Sequence, residues 1–124
     1  MTSTSWPTEI RLTKDRRHLV VSFDDGKVFD LPAELLRVYS PSAEVQGHSA
    51  AGRRTVGGKR NVMILRVDAV GNYAIRLGFD DLHDTGIFTW PFLRDMGETL
   101  SEKLGSYEKD LAAKGLTRDK PGIR

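Results

Sequence analysis

The stretch Met63-Ile-Leu-Arg-Val-Asp-Ala-Val-Gly-Asn-Tyr-Ala-Ile-Arg-Leu-Gly-Phe79 decides the fold. Met63, Leu65, Val67 and Ala69 recur at every second position and share one strand face, and Tyr73, Ile75, Leu77 and Phe79 do the same. That period fits extended chain, whose side chains alternate between faces. Gly71-Asn72 between the two runs predicts a two-residue turn of the primed type, because glycine and asparagine accept the positive φ such turns require. An antiparallel hairpin is the expected result.

Downstream, Asp80-Asp81-Leu82-His83-Asp84-Thr85-Gly86 reads as a polar turn, and Ile87-Phe88 as a short further strand. Thr89 or Trp90 then caps a helix with Pro91 near its first position. Phe92, Leu93, Met96, Leu100, Leu104, Tyr107 and Leu111 follow at spacings of three or four, one continuous helical stripe that Gly97 and Gly105 weaken. Gly115 ends that helix, and Thr117–Arg124 reads as a frayed tail. Upstream, the pairs and triplets Ile10 and Leu12, Leu19, Val21 and Phe23, and Phe29 and Leu31 give three more strands with the same period, the last two joined at Asp24-Asp25-Gly26. Pro32 suits a first helical turn, and Leu35, Leu36, Val38 and Tyr39 form a short helix that Ser40-Pro41 stops. Residues 40–60 have no periodicity and read as a long surface loop. The fold class is therefore α+β, a small antiparallel β-rich domain with one short helix after the third strand and a C-terminal helix. No internal repeat is visible.

A chain of 124 residues with 39% hydrophobic and 29% charged residues is the size and composition of one globular domain. It has no cysteine, which removes disulfides, thiolate-ligated metals and a cysteine nucleophile from this chain. No basic and apolar leader opens it and no apolar run is long enough to span a bilayer, so a cytoplasmic setting without membrane contact is expected. The net charge of +2 is unevenly spread. Arg53, Arg54, Lys59 and Arg60 place +4 in residues 47–60, which contain no acid, so the remainder carries −2.

That basic, glycine-rich segment is not a phosphate loop of the Walker type, because Arg53 and Arg60 stand where the motif needs glycine and a hydroxyl residue. Four cations on glycine-containing backbone still suit a nucleic acid or a phosphorylated ligand; they equally suit a solvated loop, and no aromatic residue among them offers a base a stacking surface. Gly47-His48-Ser49-Ala50-Ala51 approaches a nucleophile elbow but lacks its last glycine and its strand and helix flanks. In the acidic turn, His83 with Asp80, Asp81 and Asp84 offers imidazole and carboxylate donors to a divalent cation such as iron or zinc. The alternative is that the aspartates cap turns and His83 bonds a neighbouring carboxylate. No spacing places a nucleophile beside a base or pairs two carboxylates, so no enzyme activity is expected.

Four ordered segments carry a family likeness: Trp6-Pro-Thr-Glu-Ile10, Leu36-Arg-Val-Tyr-Ser-Pro-Ser-Ala-Glu44, Val70-Gly-Asn-Tyr-Ala74 and Phe79-Asp-Asp-Leu-His-Asp-Thr-Gly-Ile-Phe-Thr-Trp90. Together they resemble the gamma-butyrobetaine-hydroxylase-like N-terminal domain family over about residues 6–97. The resemblance assigns residues 1–97 to that domain and leaves 98–124 as a helical extension and tail. It implies a β-rich α+β domain. In hydroxylases a similar domain precedes a 2-oxoglutarate oxygenase domain and holds zinc through three cysteines and a histidine, and relatives accompany nucleotide-binding proteins of iron–sulfur cluster assembly. His83 matches the histidine, while Ser40-Pro41-Ser42-Ala43 stands where the cysteines would be. What the resemblance implies is a stand-alone, non-catalytic binding or interaction module with a protein partner, linked to oxygenase or iron–sulfur assembly systems and open to a metal through His83. Nucleic-acid or phosphate binding through Arg53, Arg54, Lys59 and Arg60 is the second expectation.

Overall fold

A computed structural model describes residues 6–41, 57–84 and 86–118. Strands β1 (Pro7–Leu12), β2 (His18–Phe23) and β3 (Val28–Pro32) form one antiparallel sheet in that order. Helix α1 (Ala33–Val38) follows directly, with Pro32 at its N-cap. Strands β4 (Ile64–Val70), β5 (Ala74–Phe79) and β6 (Gly86–Thr89) form a second antiparallel sheet, again in chain order. Helices α2 (Trp90–Glu98) and α3 (Leu100–Ala113) complete the chain.

Both sheets feed one core. Leu19, Val21 and Phe23 of the central strand β2 meet Ile75, Leu77 and Phe79 of the central strand β5, with Leu35 and Leu36 of α1, Leu93 and Met96 of α2, and Tyr107 and Leu111 of α3. The period-2 reading thus gives the correct inner face for both central strands, and each buried leucine or phenylalanine contributes about 2 kcal/mol. The α+β expectation holds, with two three-stranded sheets.

Three local readings change. The hairpin turn spans three residues, since Val70 pairs with Ala74 and leaves Gly71, Asn72 and Tyr73 outside the ladder. Trp90 accounts for this, donating from its indole Nε1 to Asn72 O at 3.0 Å and fastening the longer turn to the start of α2. In β4 the face shared by Leu65, Val67 and Ala69 lies largely in solvent, and Ile64 is the fully buried residue instead. A register shift between Ile64 and Arg66 rotates Ile64 inward, and the edge position leaves the rest uncovered. The continuous helical stripe is cut at Thr99, whose φ of −118° and ψ of 28° are not helical. Its hydroxyl donates to Asp95 O at 2.8 Å, the backbonding that lets a β-branched hydroxyl residue compete with the helical ladder. Thr89 is the N-cap of α2, accepting from Phe92 N.

The C-terminal segment is held rather than frayed as far as Arg118. Gly58 N donates to Thr117 O and Arg60 N to Arg118 O, both at 2.9 Å. The Arg118 guanidinium grips Glu34 with Nε to Oε2 at 2.8 Å and Nη2 to Oε1 at 2.6 Å. Glu34 is buried at the start of α1, so this two-pronged bond supplies the partner a buried carboxylate requires. Nearby, burial and the Glu34 charge push the Tyr107 phenol up to about 12.

Candidate functional site

The acidic turn after β5 is closed by a dense set of hydrogen bonds. Leu82 N donates to Phe79 O at 3.0 Å and Phe79 N to His83 O at 2.9 Å, closing a tight loop. Asp80 is tied to the entry of β4 in both directions, its N donating to Met63 O at 2.9 Å and its Oδ1 accepting from Met63 N at 3.1 Å. Asp81 Oδ1 accepts from His83 N at 3.1 Å.

The other oxygen of Asp81 joins three segments. Its Oδ2 accepts from Arg37 Nε of α1 at 2.7 Å and from Lys59 Nζ. All three side chains are mostly buried. Burial pushes the Asp81 carboxyl up, but bonds from Lys59, the His83 amide and Arg37 outweigh it and hold the group below its ordinary range. One carboxylate therefore fastens the turn to α1 and to the segment 57–60.

His83 and Ser40 complete the attachment. The imidazole Nε2 lies 3.0 Å from Ser40 Oγ, and Ser40 is buried at the end of α1. Gly86 of β6 packs so closely here that a Cβ would overlap Ser40 Oγ, which is why the strand begins with glycine. The histidine and the serine that aligns with the cysteine cluster of the resemblance are thus neighbours in space. Among the described residues no further ligand joins them. A neutral hydroxyl stands beside the imidazole in place of a thiolate, the Asp81 carboxylate is already bonded to two cations, and no three His, Cys, Asp or Glu side chains converge among the described residues. The bond between His83 and Ser40 instead ties the end of α1 to the turn.

This rigid frame carries one exposed apolar side chain. Leu82 has a φ of +73°, the left-handed region that costs a branched L-residue roughly 1–2 kcal/mol, and it is 88% exposed. The charged residues singled out in the sequence are divided. Asp80 and Asp81 are engaged in the turn, while Asp84 is exposed. Lys59 is not a free cation of a basic loop, because it is bonded to Asp81, whose single negative charge it shares with Arg37. Arg60 is exposed, its backbone bound to the C-terminal segment, and Arg53 and Arg54 lie outside the described residues. Arg37 was not legible as a site residue from local sequence. The pointer to the Lys59–Asp81 bond was the charge imbalance itself, +4 in residues 47–60 against the −2 of the remainder.

The profile of the family described as gamma-butyrobetaine hydroxylase-like, N-terminal, matches residues 10–94. The chain belongs to that family. No curated protein matches it. Among solved structures it is similar to a protein known from an NMR solution structure, at 38% identity and a TM-score of 0.81 over 98% of each chain. A second NMR solution structure is similar at 40% identity and a TM-score of 0.80, covering 100% of this chain and 98% of that one. A crystal structure of a DUF971-family protein of unknown function from Acidithiobacillus ferrooxidans shares 40% identity, with a TM-score of 0.62 over 73% of this chain and 91% of that one. Among the described residues of this family member, no helix is long and apolar enough to cross a membrane.

Proposed function

We propose that the domain is a non-catalytic interaction module of the cytoplasm that engages a protein partner through the turn 80–84, with Leu82 as the anchor. The observation that carries this reading is Leu82 itself, a strained residue almost wholly in solvent on a turn fastened at both ends. Strain of this kind persists only where surrounding bonds over-determine it, and Asp80, Asp81 and His83 supply those bonds. A pre-ordered apolar knob loses little entropy on docking, which favours binding. The flanking Asp80 and Asp84 suit a partner whose apolar pocket has a basic rim. Proteins of the 2-oxoglutarate oxygenase and iron–sulfur assembly systems are the first partners to try. The metal-associated form of this reading has no assembled ligand set behind it among the described residues.

The test compares immobilised wild-type domain with Leu82→Asp and Val28→Asp in native extract, with purified oxygenase and cluster-assembly proteins as defined candidates. Val28 is 60% exposed on β3 and serves as the control for an added surface charge. A partner retained by wild type and Val28→Asp and lost by Leu82→Asp, with all three proteins folded by circular dichroism, supports the reading. Equal retention by Leu82→Asp overturns it.

A further inference from the structure

Strand β4 carries a pattern that the turn 80–84 does not use. It is an edge strand, paired on one side with β5. Among the described residues its other side is capped at the start by Arg16, whose guanidinium Nη1 donates to Ile64 O at 3.4 Å and Leu65 O at 3.2 Å. Beyond that cap Val67 is 37% exposed, and Leu65, whose carbonyl keeps a second lone pair beside the Arg16 bond, has a side chain 48% exposed. Exposed apolar edges invite pairing, and proteins usually blunt them. The other edges here are blunted: β1 begins at Pro7 with a register shift, β3 carries Asp30 and ends at Pro32, and β6 has four residues. β4 has seven residues and no proline.

We propose that β4 pairs with β4 of a second copy of this chain, antiparallel about a two-fold axis at Val67, so that two three-stranded sheets become one of six strands. The sequence around Val67 is self-complementary in that register. Leu65 faces the partner's Ala69, Arg66 faces the partner's Asp68, and the two-fold repeats each pair. In an antiparallel pair related by a two-fold axis, the axis passes between equivalent residues, so a strand can be centred only on one of its own residues. Moving the axis by one position sets Arg66 against the partner's Arg66, or Asp68 against the partner's Asp68. Of these three registers only the one at Val67 pairs opposite charges, and like charges directly opposite one another disfavour the other two. In the single chain Arg66 and Asp68 hold each other across one residue at 3.1 Å, both substantially exposed, so both groups are free to exchange partners without unburial.

The experiment is sedimentation equilibrium over a wide concentration range for wild type, Arg66→Asp, Asp68→Arg, the double exchange, and an equimolar mixture of the two single variants. Wild type is expected to associate reversibly to a dimer. Each single reversal places two like-charge pairs across the axis and weakens self-association by about tenfold or more. The double exchange restores it, and so does the mixture, in which a chain reading Asp-Val-Asp meets one reading Arg-Val-Arg. Recovery in the mixture is a result that damage to the fold cannot produce. A wild-type protein that stays monomeric to about 1 mM, the range of the weakest specific contacts, overturns the proposal, as does a dimer indifferent to both reversals. Arg66 and Asp84 both flank Gly78, but self-association is read on the isolated chain and partner capture on Leu82, so either proposal can fail without the other.

Discussion

The central strands of the two sheets leave through the same three residues, Phe23-Asp24-Asp25 in the first and Phe79-Asp80-Asp81 in the second, and build the same turn. Gly26 N donates to Phe23 O and Leu82 N to Phe79 O, each at 3.0 Å. Phe23 N donates to Lys27 O at 2.8 Å and Phe79 N to His83 O at 2.9 Å. The second aspartate accepts from the amide two residues on in both cases, Lys27 N to Asp25 and His83 N to Asp81. The first aspartate's amide reaches the residue just before the neighbouring strand, Trp6 or Met63, at 2.9 Å. Both turns then need a positive φ, which is +91° at Gly26 and +73° at Leu82. Glycine meets that need without strain and leucine does not. The difference teaches that leucine at position 82 is not explained by folding. The backbone would be better served by the glycine its twin uses, and the proposed docking role is the reading that accounts for the side chain. The anchors differ in the same direction: Asp25 bonds Arg94 in an exposed setting, whereas Asp81 is enclosed by Arg37 and Lys59.

Breaking the second anchor gives the largest expected effect. Asp81→Ala leaves Arg37 and Lys59 mostly buried without their carboxylate, and the uncompensated charges should cost about 2–3 kcal/mol in urea or thermal unfolding. Its pH dependence has a definite sign. The Asp81 carboxyl is held below its ordinary 3.8 in the folded protein, so it binds a proton more readily when unfolded. Its contribution is complete above that value and is lost as pH falls through the lower folded value. Wild type should therefore lose stability on acidification below about pH 4, and Asp81→Asn should flatten part of that slope. A variant as stable as wild type, with an unchanged acid limb, would show that the anchor is ornamental.

The outline of this architecture was legible because it rests on period. Leu19, Val21 and Phe23, and Ile75, Leu77 and Phe79, alternate in a way that only a half-covered sheet explains, and the Thr89 cap followed by Pro91 marks its helix locally. What escaped was set by partners distant in the chain. Leu65 and Val67 alternate as regularly as the core strands and yet lie in solvent, because nothing local says that β4 is an edge. Arg37 sits among Leu35, Leu36 and Val38, and its pairing with Asp81 bridges 44 residues. The twin turns share three residues, too few to read as a repeat, and their equivalence lies in backbone hydrogen bonds. The strain at Leu82 was invisible for the same reason, since leucine in a polar turn gives no sign of its φ.

Exchanging the two tips sharpens the comparison. Gly26→Leu puts into the first turn what the second tolerates. A Cβ at Gly26 meets nothing within 4 Å, so the change is one of backbone strain without a clash. It should destabilise by about 0.5–1 kcal/mol, the cost of a left-handed L-residue after the smaller unfolded-state entropy of leucine is counted. A loss of several kcal/mol, read as a lower midpoint at unchanged m-value, would mean that the two turns are not equivalent.

Leu82→Gly is the reciprocal change and carries the smallest expected effect on stability, with the opposite sign. Removing the strain favours the folded state by roughly 1 kcal/mol, and the greater freedom of glycine in the unfolded chain cancels part of it, leaving a gain of about 0.5 kcal/mol. Little packing is lost, because the side chain is 88% exposed and buries almost no apolar surface. Denaturant unfolding should show a small upward shift in midpoint, while partner capture falls to the level of Leu82→Asp. The pairing of these two outcomes separates function from folding, since a residue kept for stability loses both together. If Leu82→Gly is instead less stable than wild type, the leucine has contacts that stabilise the turn, and the contrast with Gly26 reduces to two solutions of one folding problem.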